Sequence, residues 1–142
     1  MSTIKSMSGD YAIELATGYL DALAFAESPE RFQQSGEFDS SRFAYGRDTK
    51  EQAMIAVLTI AAIAGKLGID VTDYDAAEIG RNIAYTANHH GVGFDDMANM
   101  ESDVADTLTA IVEQMFQGTI DCEFRKRGDK IHMKATYTLK NK

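Results

Sequence analysis

A single cysteine, Cys122, occurs in this chain of 142 residues. One thiol excludes an internal disulfide and the paired Cys/His spacing of a structural zinc site, and it fits a reducing compartment. The expected location is therefore the cytoplasm. Long apolar runs are missing too. The longest, residues 53–64, covers 12 positions, whereas a membrane helix needs about 20, so no membrane span is expected. Residues 1–9 hold no apolar stretch of the sort a signal peptide requires. Internal repeats and low-complexity segments are absent, and the length suits one domain, taken as residues 1–142.

Positive charge is scarce. Against 14 basic residues stand 22 acidic ones, giving a formal net charge of -8, which argues against direct nucleic-acid binding or attraction to anionic lipid. Lysine and arginine vanish between Arg81 and Arg125, a stretch holding Asp95, Asp96, Glu101, Asp103, Asp106, Glu113, Asp121 and Glu123. From Thr119 onward there are seven basic and three acidic residues, which leaves seven and 19 for the rest. An acidic body thus carries a basic tail. Solvated helix faces, and carboxylates placed on helix N-terminal turns, account for such a body. So does an acidic surface aimed at a basic partner, in the limit a mimic of nucleic acid, with Asp95, Asp96, Glu101, Asp103 and Asp106 as candidate interaction residues.

Hydrophobic spacing predicts four helices and a hairpin. Asp10 is placed to cap a helix over 11–27, with Tyr11, Leu15, Tyr19, Ala22, Leu23 and Ala26 on one face. Ser28-Pro29 either stops it or caps a short new turn with proline at its first position, and residues 33–46 read as an irregular loop pinned by Phe38, Phe43 and Tyr45. Asp48 and Glu51 have capping-box spacing before a helix over 53–64. That helix is apolar on nearly every side, which predicts a central position, and Gly65 or Gly68 ends it. Thr72 and Asp75 form a further capping pair, opening a helix through Ile79, Ile83 and Ala87 to His89 or His90, with Gly91 as its terminator. Ser102 or Asp103 begins a fourth helix on which Val104, Leu108, Ile111, Val112 and Met115 share a face, closed by Gly118.

The period then changes to two. Ile120, Cys122 and Phe124, then Ile131, Met133, Ala135 and Tyr137, alternate with polar residues around a turn at Lys126-Arg127-Gly128-Asp129. The expected fold is α+β, mainly α: a compact bundle of about four helices over residues 10–118, with a two-stranded antiparallel β-hairpin over 119–138. A hairpin alone is marginal, so it must pack on the helices or pair its edges with another chain.

Candidate chemistry concentrates at Asn88-His89-His90-Gly91-Val92-Gly93-Phe94-Asp95-Asp96. His89, His90, Asp95 and Asp96 offer nitrogen and oxygen ligands for zinc or another divalent transition metal. Against that stands the absence of any H-E-x-x-H or paired Cys/His spacing, and a histidine at a helix C-terminus also packs or caps. The two glycines lack the rest of a P-loop and follow a helix instead of opening one, so nucleotide binding there is not expected. Glu27/Glu30 and Asp103/Asp106 share the spacing by which helical pyrophosphatases hold magnesium, but Pro29 interrupts the first pair and the second lies on a polar face. Arg127-Gly128-Asp129, an integrin-type tripeptide, is more simply the hairpin turn. Cys122 alternates inward away from His132, and no Ser/His/Asp set assembles. No catalytic residue and no cofactor is therefore assigned.

In layout the chain resembles a group of small tailed-bacteriophage proteins of no assigned activity. Those proteins open with a helix like Gly18-Tyr19-Leu20-Asp21-Ala22-Leu23-Ala24-Phe25-Ala26-Glu27. They carry an Asn-x-His-Gly-x-Gly-Phe segment like Asn88 to Phe94, and close with a hairpin like Arg127-Gly128-Asp129-Lys130-Ile131. The likeness spans most of the chain but few identical positions, and Asp95 stands where the group commonly has tryptophan. It implies a nonenzymatic viral accessory role in the host cytoplasm: binding a host or viral protein, in the service of counter-defence. Two alternatives follow from the residues themselves. One is a small metal-dependent enzyme or ligand-binding protein using the 89–96 loop; the other is a homo-oligomer assembled through the hairpin.

Overall fold

A computed structural model of the chain describes residues 8–29, 40–90 and 93–138. Its core is organised by two glycines. Gly18 lies in α1 (Gly9–Glu27) and Gly80 in α3 (Ala76–Ala87). A Cβ on Gly80 would lie 2.1 Å from the Leu15 carbonyl oxygen, and one on Gly18 would lie 2.5 Å from that of Ala77. The helix backbones therefore touch, and any side chain at either glycine would force them apart. Around this crossing Leu15, Tyr19 and Leu23 interlock with Ile79 and Ile83, all completely buried.

Two further helices lean on this pair. α2 (Arg47–Lys66) packs against α1, and α4 (Ser102–Met115) lies against both α3 and α2. Expected at the centre, α2 is instead peripheral: Ile55 is 53% and Leu67 60% exposed, with Leu58 and Ile63 open beside them. Only its stripe of Thr49, Ala53, Ala56, Val57, Ile60 and Ala64 is buried. The centre belongs to α1 and α3 because glycine permits a closer approach than the alanines of α2.

The α+β, mainly α architecture matches the sequence expectation, with one addition. β2 (Asp121–Arg127) and β3 (Lys130–Thr136) form the antiparallel hairpin, with Phe124 opposite Met133. Yet Phe43–Tyr45, expected in an irregular loop, is a strand, β1, that pairs parallel with β3, giving the order β1-β3-β2. The cause is the hairpin's own open edge, whose unpaired backbone groups need partners. Phe43 is anchored by its ring, edge-on to Phe124 at 6.2 Å, while Lys130 Nζ donates to the Ser41 carbonyl at 2.6 Å. Phe38 lies outside the described residues. The hairpin turn is Gly128-Asp129, with Gly128 at φ +62°, so Lys126 and Arg127 complete β2.

The first three helices start a few residues away from expectation, while α4 starts at Ser102 as expected. Ser8, not Asp10, caps α1, its Oγ accepting the Tyr11 amide at 3.1 Å. The Asp48/Glu51 box does not form, because Tyr45 is fixed in the sheet and the helix begins directly after extended Gly46. Glu51 pairs instead with Arg47 at 3.2 Å. Thr72 belongs to a short 3₁₀ turn, Val71–Asp73, capped by Asp70, and Asp75 itself caps α3 by accepting the Glu78 amide at 3.0 Å. Gly68, at φ +89°, closes α2 as expected, with Ile69 N–H reaching the Ala64 carbonyl at 2.9 Å.

Candidate functional site

The histidine segment follows directly from how α3 stops. His90 N–H reaches the Tyr85 carbonyl at 2.7 Å and His89 N–H that of Thr86 at 3.2 Å, the paired closure that Gly68 provides for α2. Here the left-handed residue is His89, at φ +61°. Gly91, the expected terminator, lies outside the described residues, and the helix is already closed before it.

Asn88, the C-cap, is the buried centre of the segment. Its Nδ2 donates to Glu27 Oε2 at 3.1 Å and to the Ile120 carbonyl at 3.2 Å, while its Oδ1 accepts the Ile120 amide at 2.6 Å. His90 Nε2 meets the same Glu27 oxygen at 2.6 Å. Three stretches remote in sequence converge here: the end of α1, the end of α3, and the entry to β2. Beyond the segment, Phe94 is fully buried and Gly93, at φ +62°, sits where a Cβ would come within 2.5 Å of Thr86 Oγ1.

The four candidate ligands of the segment are placed as follows. His90 faces Glu27, His89 and Asp95 are exposed, and Asp96 ends a 3₁₀ turn, Gly93–Asp96. Among the described residues no three His, Cys, Asp or Glu side chains are placed to hold a metal ion. Asp103 and Asp106 are exposed on α4, and Glu30 lies outside the described residues. Cys122 borders the cluster, and burial first, then the charges of Glu27 and Asp121, push its thiol up to about 12. It stays protonated at neutral pH and is a poor nucleophile. Glu27 and Asn88 are the residues that sequence reasoning missed. Asn88 opened the distinctive motif, and an Asn directly before two histidines at a helix end was the available signal.

A second feature is a surface. The outer side of α2 shows Ile55, Leu58, Ile63 and Leu67, and no charged residue intervenes between Glu51 and Lys66. On the neighbouring α4 the exposed charges are Glu101, Asp103, Asp106 and Glu113, with no basic residue. At the far side of the sheet, the outer strand β2 exposes Asp121, Glu123, Arg125, Lys126 and Arg127. None of the described helices is long and apolar enough to cross a membrane. Comparison with known protein families, with curated proteins and with solved structures returns no match.

Proposed function

We propose that this protein works by binding another protein, through the outer face of α2 and the acidic rim that α4 adds to it. The observation that carries the reading is the set of apolar side chains Ile55, Leu58, Ile63 and Leu67 open to solvent on α2, with Lys66 as the one charge among them. Contiguous apolar surface rimmed by charge is the mark of an interaction site on a water-exposed protein. The rim selects the occupant. The exposed Glu101, Asp103 and Asp106 at the start of the neighbouring α4, together with the apolar side chains of α2, suit a basic amphipathic segment of the partner, whose apolar side covers α2 while its lysines or arginines face α4. Together with the resemblance to tailed-phage accessory proteins, this makes a host protein the expected partner and counter-defence the expected purpose.

The other two readings lack such support. His90, Asn88 and Glu27 are spent on holding chain segments together. The hairpin has one edge covered by β1, and its outer strand is loaded with charge, a pattern that discourages edge-to-edge assembly.

The test is affinity capture from host lysate with the wild type and with Ile55→Glu/Leu58→Glu. The expected result is a protein retained by the wild type at low salt, weakened by added salt and lost with the double variant. Equal retention by both proteins, or a wild-type dimer that the double variant dissolves, would overturn the reading.

A further inference from the structure

We propose that the cleft between the start of α2 and the open face of the sheet binds a small organic phosphate. It is a partly open hollow of about 580 Å³, within the range of roughly 300–1,000 Å³ that small-molecule sites occupy. Arg47, Arg125, Arg127 and Lys134 line it together with His132, against two carboxylates, Asp48 and Glu123. In a chain of net charge -8 this is a local excess of positive charge.

The strand register explains the concentration. Arg125 sits opposite His132, Glu123 opposite Lys134 and Arg127 opposite Lys130, so alternate residues of both strands place these groups on one face. Arg125 and Arg127 are two positions apart, a separation of roughly 7 Å, and guanidinium forks so placed can grip phosphate oxygens from two sides. Among the described residues Arg125, Arg127 and Lys134 have no ion-pair partner. Arg47 holds Glu51, but that pair is exposed and exchanges at little cost.

Two further features define the ligand. Gly46 precedes α2 without any side-chain cap, and residues 46–49 line the cleft, so the uncapped start of the helix borders it, an arrangement favourable to an anion. The hollow is far larger than a bare inorganic anion needs, which favours a phosphate carrying an organic portion; Phe124 and Met133 border it too, with their side chains alternating to the packed face of the sheet. A nucleic-acid strand is the wrong shape of ligand, since four cations in one hollow offer no extended basic track and the helical body is acidic.

Adenosine monophosphate is the probe, with inorganic phosphate, adenosine and a short single-stranded DNA as comparison arms, read by amide spectra of the nitrogen-labelled full chain. Saturable shifts at residues 47–49, 125 and 134 are expected, tighter for the nucleotide than for phosphate or adenosine. Replacing both exposed arginines, Arg125→Gln/Arg127→Gln, should weaken binding at least about ten-fold, the loss of one or more charge-assisted contacts, with an unchanged melting temperature. Absence of saturable shifts, equal affinity for inorganic phosphate, binding unaffected in the double variant, or tighter binding of the DNA would each overturn the proposal.

Discussion

Asn88 shows how much one side chain can hold. Its amide satisfies both the N–H and the carbonyl of Ile120, which are buried, and one oxygen of the half-buried Glu27. Asn88→Ala would strand these groups, and unfolding in urea should show a loss of about 2–4 kcal/mol. His89 makes the opposite case. It occupies a left-handed conformation that costs a non-glycine residue about 1 kcal/mol or more, and its side chain is exposed. His89→Gly should raise stability by about 1 kcal/mol; a drop would show that the imidazole has a role the fold does not reveal. Asp21 supplies a pH signature. Its Oδ1 accepts the Tyr45 hydroxyl at 2.6 Å, but burial outweighs that bond and raises the carboxyl above its ordinary 3.8. The folded state therefore holds this proton more tightly than the unfolded chain. Its contribution is fully present below pH 3.8 and fades as pH rises through the higher folded value. Subtracting the urea stability of Asp21→Asn from that of the wild type across pH should isolate this decline.

The crossing of α1 and α3 is decided at the scale of elements. Gly80→Ala would drive a Cβ into the Leu15 backbone, and the helices must part, at a cost of about 3 kcal/mol or more. Thermal unfolding of Gly80→Ala and Gly18→Ala should show both variants strongly destabilised, whereas Gly46→Ala, with open space around its Cβ, should be nearly silent. The helices themselves were legible, because periodicity records which face is buried; α4 begins and ends within the expected residues. Their order of importance was not. A mid-helix glycine reads in sequence as a weak point, and only the partner backbone reveals it as a contact. β1 was hidden for a related reason: three residues carry too little alternation to announce a strand, and Phe43 and Tyr45 become one only because β3 offers an edge. The histidine loop was conspicuous by composition, but Glu27, its partner, lies 63 residues away in the chain. No local spacing could have joined them.

Across the whole molecule, charge and apolar surface divide the faces. The exposed charges of α4 are all acidic and its neighbour α2 carries the bare apolar side chains, while Arg125, Arg127 and Lys134 of β2 and β3 line the cleft. The division of charge was plain from the sequence; the exposure of α2 was not, since an all-round apolar helix suits a buried centre equally well. We propose that binding resides on α2 and that the histidine loop serves the fold. Capture from host lysate with two variants side by side tests it most directly. Ile55→Glu/Leu58→Glu should abolish retention of the partner that the wild type holds, and His89→Ala/His90→Ala should retain it. Loss with the histidine variant and retention with the α2 variant would contradict the account.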